Sequence, residues 1–76
     1  MLKTSNIPTG IRYKIKEITD SSLAINFLEI GILPGKSLEL VQRAPFGGPL
    51  AFLVGDNLIA LRADEANLVI VEADNS

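Results

Sequence analysis

The sequence predicts a small, mostly β domain, in which five short strands and one short helix curl into a small five-stranded β-barrel. Three observations predict it. Apolar residues come in short runs of four or five, or in strict alternation, which is strand spacing. Turn formers separate these runs at close intervals, and no strand–helix–strand rhythm of a parallel sheet is present. Finally, two of the runs are apolar on both faces. Five such strands cannot stay an open sheet, and curling buries one face and removes most of the edges.

Seventy-six residues make one domain, expected to span residues 1–76 with a loose lead-in at 1–6 and a frayed tail at 73–76. Gly10 opens the first strand. Ile11, Tyr13 and Ile15 alternate there with Arg12, Lys14 and Lys16, and Ile18 falls out of phase. A bulge or strand end near Glu17 accounts for that. Asp20, Ser21 and Ser22 are three successive N-cap candidates. Leu23, Phe27 and Ile30 then recur at helical spacing with Ala24 and Leu28 beside them, giving a helix over residues 21–30 whose apolar stripe is wide for its length.

Gly31 stands where a left-handed helix cap belongs. In Leu33-Pro34-Gly35, proline suits the second turn position and glycine the third. The second strand follows, with Leu38 and Leu40 on one face and Glu39, Val41 and Arg43 on the other. Residues 44–49, APFGGP, form a loop that turns on Gly47 and Gly48. Residues 50–54 are the third strand, and Gly55-Asp56-Asn57 is a hairpin turn into the fourth at 58–61. Residues 62–67 suit a single helical turn, and residues 68–71 are the last strand. The outer face of strands three and four calls for a cover, either the helix or a second molecule.

Composition excludes several functions. The chain has no Cys, no His and only the initiator Met, so Ser-His and Cys-His nucleophiles are absent, as are the ligands that transition metals prefer. No catalytic residue, metal site or cofactor is expected. Serines 5, 21, 22, 37 and 76 read as caps and turn residues. Asp64 and Glu65 are adjacent, so on a helical turn they point about 100° apart. With Asp56 they lack the spacing of a calcium loop. Gly47-Gly48 matches no phosphate-binding fingerprint. A net charge of −2 disfavours nucleic acid, and the basic stripe Arg12, Lys14, Lys16 reads as a solvated edge that lacks stacking aromatics. The longest apolar run, residues 50–54, is far short of the ~20 residues of a membrane span, and the N-terminus lacks the apolar core of a signal peptide. The expectation is a soluble cytoplasmic protein with no direct membrane insertion. What remains is a binding module. Phe46, in a loop, is either a plug on the barrel's open end or a docking group, and Phe27 is either core or partner contact.

Three stretches carry a family resemblance: FLEIGILPG at 27–35, RAPFGGPLAFLV at 43–54 and LIALRADEANLVIVE at 58–72. They supply a leucine-rich helix, the Gly-x-x-Pro-Gly turn, the Ala-Pro-x-Gly-x-Pro loop, and a strand ending in Leu61-Arg62 before the acidic turn at Glu65-Ala66. In this order and spacing, over about residues 7–72, the chain resembles the FeoA family of bacterial ferrous iron uptake. The resemblance implies an SH3-like barrel with one helix. It also implies a cytosolic, non-enzymatic accessory that contacts the GTP-binding domain of the FeoB-type ferrous iron permease. A similar domain closes some iron-dependent repressors, so an SH3-like regulatory or self-assembling module, a homo-oligomer, is the alternative. The expected contact residues are Phe27, Leu28, Leu33, Pro34 and Phe46, with Arg43 or Arg62 at the rim. Gly31, Gly35, Gly47, Gly48 and Gly55 are the structural turns. Relatives often carry basic residues where Ala24 and Asn26 stand, and an aliphatic residue in place of Phe27. That shifts the expected contact toward apolar docking or self-association.

Overall fold

The computed structural model describes residues 2–74. Its one sheet has six strands: β1 (Leu2–Lys3), β2 (Arg12–Ile18), β3 (Ser37–Arg43), β4 (Leu50–Val54), β5 (Asn57–Leu61) and β6 (Val69–Ala73). Their order is β1-β6-β2-β3-β4-β5, and every pairing is antiparallel. β2 to β5 run as a meander with α1 (Ser21–Glu29) between β2 and β3. After β5 a single helical turn, α2 (Ala63–Ala66), sends the chain back to β6 beside β2. The mostly β architecture is the predicted one, with a sixth strand added.

That strand corrects the expected lead-in. Leu2 and Lys3 pair with Val71 and Ile70 of β6, and a 3-10 turn follows at Thr4–Asn6. Thr4 is fully buried and its hydroxyl donates to the carbonyl of Ala66. The Ser5 hydroxyl donates to the side-chain carbonyl of Asn67. Ile7 lies in the core. Two residues are too few to show a period, so only these tertiary contacts define the strand. At the other end Ala73 closes β6 rather than fraying, while Asn75 and Ser76 lie outside the described residues.

The core is the inner face of the curled sheet. Alternate residues supply it: Ile15; Leu38 and Leu40; Leu50, Phe52 and Val54; Leu61; Val69 and Val71. Ile7, Phe27, Ile32 and Ala66 close it from outside the strands. The predicted bulge is present, since the β2–β6 register shifts between Ile15 and Glu17. A second shift, between Leu40 and Gln42 in β3, had no sequence signature. Beside it, the Gly10 N–H donates to the Leu40 carbonyl at 3.0 Å. The stripe of Arg12, Lys14 and Lys16 is exposed, but β2 lies between β6 and β3, so it is no sheet edge. Instead Arg12 faces Glu39 and Lys14 faces Glu72 across the sheet.

Both ends of α1 follow from the sequence. The Asp20 carboxylate accepts from the Ser22 N–H at 2.9 Å and from its hydroxyl at 2.6 Å. At the other end Gly31 takes φ +96°, which a side chain would resist. The Gly31 N–H bonds the Leu28 carbonyl at 3.1 Å and the Ile32 N–H bonds the Phe27 carbonyl at 2.8 Å. This is the Schellman pattern, and its usual apolar contact is the buried pair Phe27 and Ile32. Ile30, expected to be the last residue of the helix's apolar stripe, is the C-cap and is 46% exposed. The chain then turns at Leu33-Pro34-Gly35, closed by Lys36 N–H to Leu33 carbonyl at 3.2 Å with Gly35 at φ +95°. Two bonds of 2.9 Å, Gly35 N–H to Ile15 carbonyl and Ile15 N–H to Lys36 carbonyl, fasten the turn to β2.

Phe52 has no exposed surface. Phe52→Ala should therefore cost about 3–5 kcal/mol, most of the stability of so short a chain, read as a lower urea midpoint. Asp20 gives a pH test. The Ser22 hydroxyl, then the Ser22 N–H, hold its carboxyl below the ordinary value of 3.8. The ionised cap thus stabilises the fold above that value, and the contribution is lost as pH falls through the lower folded-state value. The melting-temperature advantage over Asp20→Asn should be full at neutral pH and shrink below about pH 4.

Candidate functional site

Helix α1 turns its Phe27 side into the core and leaves its other flank beside the returning chain. Because the Schellman reversal sends residues 32–35 back past the helix end, an open apolar groove of about 360 Å³ forms between them. Ala24 and Leu28, one helical turn apart, line one wall. Leu33 and Pro34 line the other, with Ile18 of β2 and Ile32 at the base. Glu17 is the one charged residue of the lining. Leu28 is 55% exposed, and Ile25, three residues before it, is 66% exposed. A short helix thus offers solvent two large aliphatic groups on neighbouring positions.

Seven residues were expected at a contact surface, and the structure divides them. Leu28, Leu33 and Pro34 meet in the groove. Phe27 does not: it is 4% exposed, held in the core by its contact with Ile32, so it is removed from the surface. Phe46, Arg43 and Arg62 belong to the other end of the sheet, where Leu50 faces both Arg43 and Leu61. The seven residues of β3 separate the two ends by roughly 20 Å of strand. Sequence reasoning missed Ile18, Ala24, Ile25 and Ile32 as surface or groove residues. The available signal was the width of the α1 stripe, more apolar surface than one short helix can turn inward.

The loop at 44–49 is a tight turn. The Gly48 N–H donates to the Pro45 carbonyl at 3.2 Å, and the Ala44 N–H to the Pro49 carbonyl at 3.1 Å. Its two central residues both have positive φ, +59° at Phe46 and +74° at Gly47, as in a type I′ turn. At Gly48 an added Cβ would stand 2.7 Å from that of Ala44, so glycine is required. Phe46 is the one non-glycine residue with positive φ among the described residues. Left-handed backbone costs a bulky L-residue about 1 kcal/mol or more. Its side chain is fully exposed, so no packing offsets that cost. The plug reading is overturned: Phe46 points into solvent.

The charged candidates have structural tasks. Arg43 donates from Nη2 to the Ile7 carbonyl at 2.8 Å and so ties the N-terminal segment to β3. Glu65 accepts from the Arg62 N–H at 2.9 Å, capping α2, and Asp64 accepts from the Glu65 N–H at 3.0 Å. Among the described residues no group of three or more His, Cys, Asp or Glu could hold a metal ion. Among the same residues no helix is long and apolar enough to cross a membrane.

Comparison with known proteins places this geometry. The FeoA domain family model matches residues 4–73. Among solved structures, the iron(II) transport protein A of Clostridium thermocellum is 36% identical over 95% of this chain, with a TM-score of 0.88. The chain spans 45% of that protein's length. The zinc complex of FeoA from Stenotrophomonas maltophilia is 28% identical with a TM-score of 0.80, covering 95% of this chain and 91% of that one. That protein is described as a prokaryotic SH3-domain protein and a candidate ferrous iron transport activating factor. A manganese-dependent transcriptional repressor shares the fold at 19% identity and a TM-score of 0.84, over 95% of this chain and 41% of the repressor. A search of curated proteins finds no match. With its SH3-like curled sheet, its Gly31-to-Gly35 elbow and a family match over all but its ends, the chain belongs to the FeoA domain family.

Proposed function

We propose that this protein is a cytosolic, non-enzymatic accessory of ferrous iron uptake that binds the GTP-binding domain of a FeoB-type permease. The groove between α1 and the Leu33-Pro34 turn carries the reading. Its walls are aliphatic, its lining holds one carboxylate, and Leu28 stands half out of it. A concave apolar site with a protruding aliphatic group suits an amphipathic segment of a protein partner better than a charged small molecule. Membership of the FeoA family and the transport role attributed to the Stenotrophomonas relative support the choice of partner. Phe46 forms a second contact, at the opposite end of β3, the end of the sheet that also holds Arg43 and Arg62. A strained, unpacked aromatic is the kind of group that a binding event covers. The alternative, a regulatory module akin to the repressors' C-terminal barrel, draws support from likeness of fold alone.

Calorimetric titration into the isolated GTP-binding domain of the same organism's permease, with and without nucleotide, tests the reading. Leu28→Asp and Leu33→Asp should each weaken binding about tenfold or more, because a carboxylate in the groove loses its water. Phe46→Gly should act oppositely on fold and function. It should raise stability by about 1 kcal/mol, as the left-handed residue is relieved, while weakening binding. No binding in either nucleotide state, or binding that all three substitutions leave unchanged, would overturn the proposal.

A further inference from the structure

The sheet has two edges, and they are built differently. β1 is two residues long and carries Lys3, both common safeguards against edge-to-edge pairing. β5 is five residues long, Asn57-Leu58-Ile59-Ala60-Leu61, without charge, proline or register shift. Among the described residues it is hydrogen-bonded to β4 alone. Leu58 is 69% exposed and Ala60 is exposed beside it.

The hairpin defines which backbone groups point outward. Val54 faces Asn57 across the two-residue turn Gly55-Asp56, and Phe52 faces Ile59 and Leu50 faces Leu61 at every second position. A two-residue turn is flanked by a hydrogen-bonded pair, and such pairs alternate along an antiparallel ladder. Residues 57, 59 and 61 therefore direct their N–H and C=O at β4. The intervening positions of β4 serve β3 instead, as the Gly55 N–H to Ser37 carbonyl bond of 3.1 Å illustrates. Leu58 and Ala60 direct their backbone groups to the open edge.

We propose that this edge pairs with β5 of a second copy of the chain, antiparallel about a two-fold axis at Ile59. That register sets Leu58 against the partner's Ala60 and Ala60 against the partner's Leu58, so the outward backbone groups meet each other. The same register sets Asp56 against the partner's Arg62, and Arg62 against the partner's Asp56. These two residues flank β5 and are the nearest charges to it on either side. Antiparallel pairing about Ile59 thus turns opposite charges toward each other at both ends of the seam. Other registers lose the match. Centring on Ala60 sets Leu58 against the partner's Arg62, and centring on Leu58 carries Arg62 past the partner's turn. Opposite charges facing each other across a ladder stabilise it, and like charges do the reverse. The seam uses neither the groove nor Phe46 and shares only Arg62 with the permease reading, and sedimentation of the chain alone reads the seam without the permease.

Sedimentation equilibrium of the full chain from about 10 µM to about 1 mM tests the proposal over the range of a small interface. The expected result is a monomer–dimer equilibrium that weakens with added salt. Ala60→Pro removes an outward N–H that the folded monomer leaves free, a placement that an edge strand tolerates. With Leu58→Lys, it should shift the chain to monomer while far-UV circular dichroism is unchanged. Arg62→Glu should raise the dissociation constant about tenfold, since two attractive pairs become repulsive. Asp56→Lys with Arg62→Glu should restore it to near the starting value. A wild-type chain that is monomeric at every concentration would overturn the proposal. So would a dimer indifferent to Leu58→Lys and Ala60→Pro, or a charge swap that fails to rescue Arg62→Glu.

Discussion

The reversal at Gly31 is the constraint on which the rest of the structure depends. A left-handed residue there lets the Ile32 N–H reach back to the Phe27 carbonyl, and so puts Ile32 against Phe27 in the core. Three consequences follow from one glycine. The helix stops after nine residues, the Phe27 and Leu28 carbonyls find partners, and the chain turns back. That exit direction brings Leu33 and Pro34 alongside Leu28 and makes the groove. It also delivers Gly35 and Lys36 to the backbone of Ile15, next to the bulge in β2, so the start of β3 is in register before the strand begins. A residue with a Cβ at position 31 would meet little in space, only the Asn57 amide at 3.9 Å. Backbone conformation, not crowding, therefore demands glycine there.

The loop at residues 44–49 shows the opposite allocation of conformational cost. Its first left-handed position is held by phenylalanine, although glycine occupies the second. Stability alone would favour glycine at both. The side chain is fully exposed and so returns nothing to the fold. Strain kept without a packing gain is the pattern of a group retained for what it touches in a complex. The two flanking prolines and the crowded Gly48 stiffen the loop, which limits the entropy lost when the phenyl ring is covered.

Much of this was legible in the sequence, for identifiable reasons. Period-two alternation located β2 and β3, and continuous apolar runs located β4, β5 and β6. The out-of-phase Ile18 announced the β2 bulge, and Asp20 and Gly31 bracketed α1. These signals are local, so a single sequence holds them. β1 was not legible, because Leu2-Lys3 has no period and exists only through pairing with residues about 68 positions away. The β3 bulge was hidden for a similar reason, since it lies beside a bond between Gly10 and Leu40, residues far apart in the chain. At the site, Leu33 and Pro34 could be placed by turn chemistry. Phe27 could not be assigned to core or surface, because a wide apolar stripe does not say which edge of it faces inward.

Exposed apolar residues are common on any small protein and mean little singly. Among the described residues eight large ones are exposed, Ile11 and Val41 among them, and most need no explanation. What separates three of them is a second property that exposure alone does not supply. Leu28 stands at a concavity, Phe46 on a strained backbone, and Leu58 on an uncharged edge with free hydrogen-bonding groups. Each second property is of a different kind: shape, conformation and backbone valence. They also lie on different parts of the sheet, at the helix end, the loop end and the β5 edge. A dimer joined along β5 would carry two grooves and two Phe46 tips, and because Asn57 at the start of β5 lies near Gly31 the seam and the groove are neighbours. Linked in that way, two modest sites would bind a paired partner more tightly than either could alone, with no new contact at the groove itself.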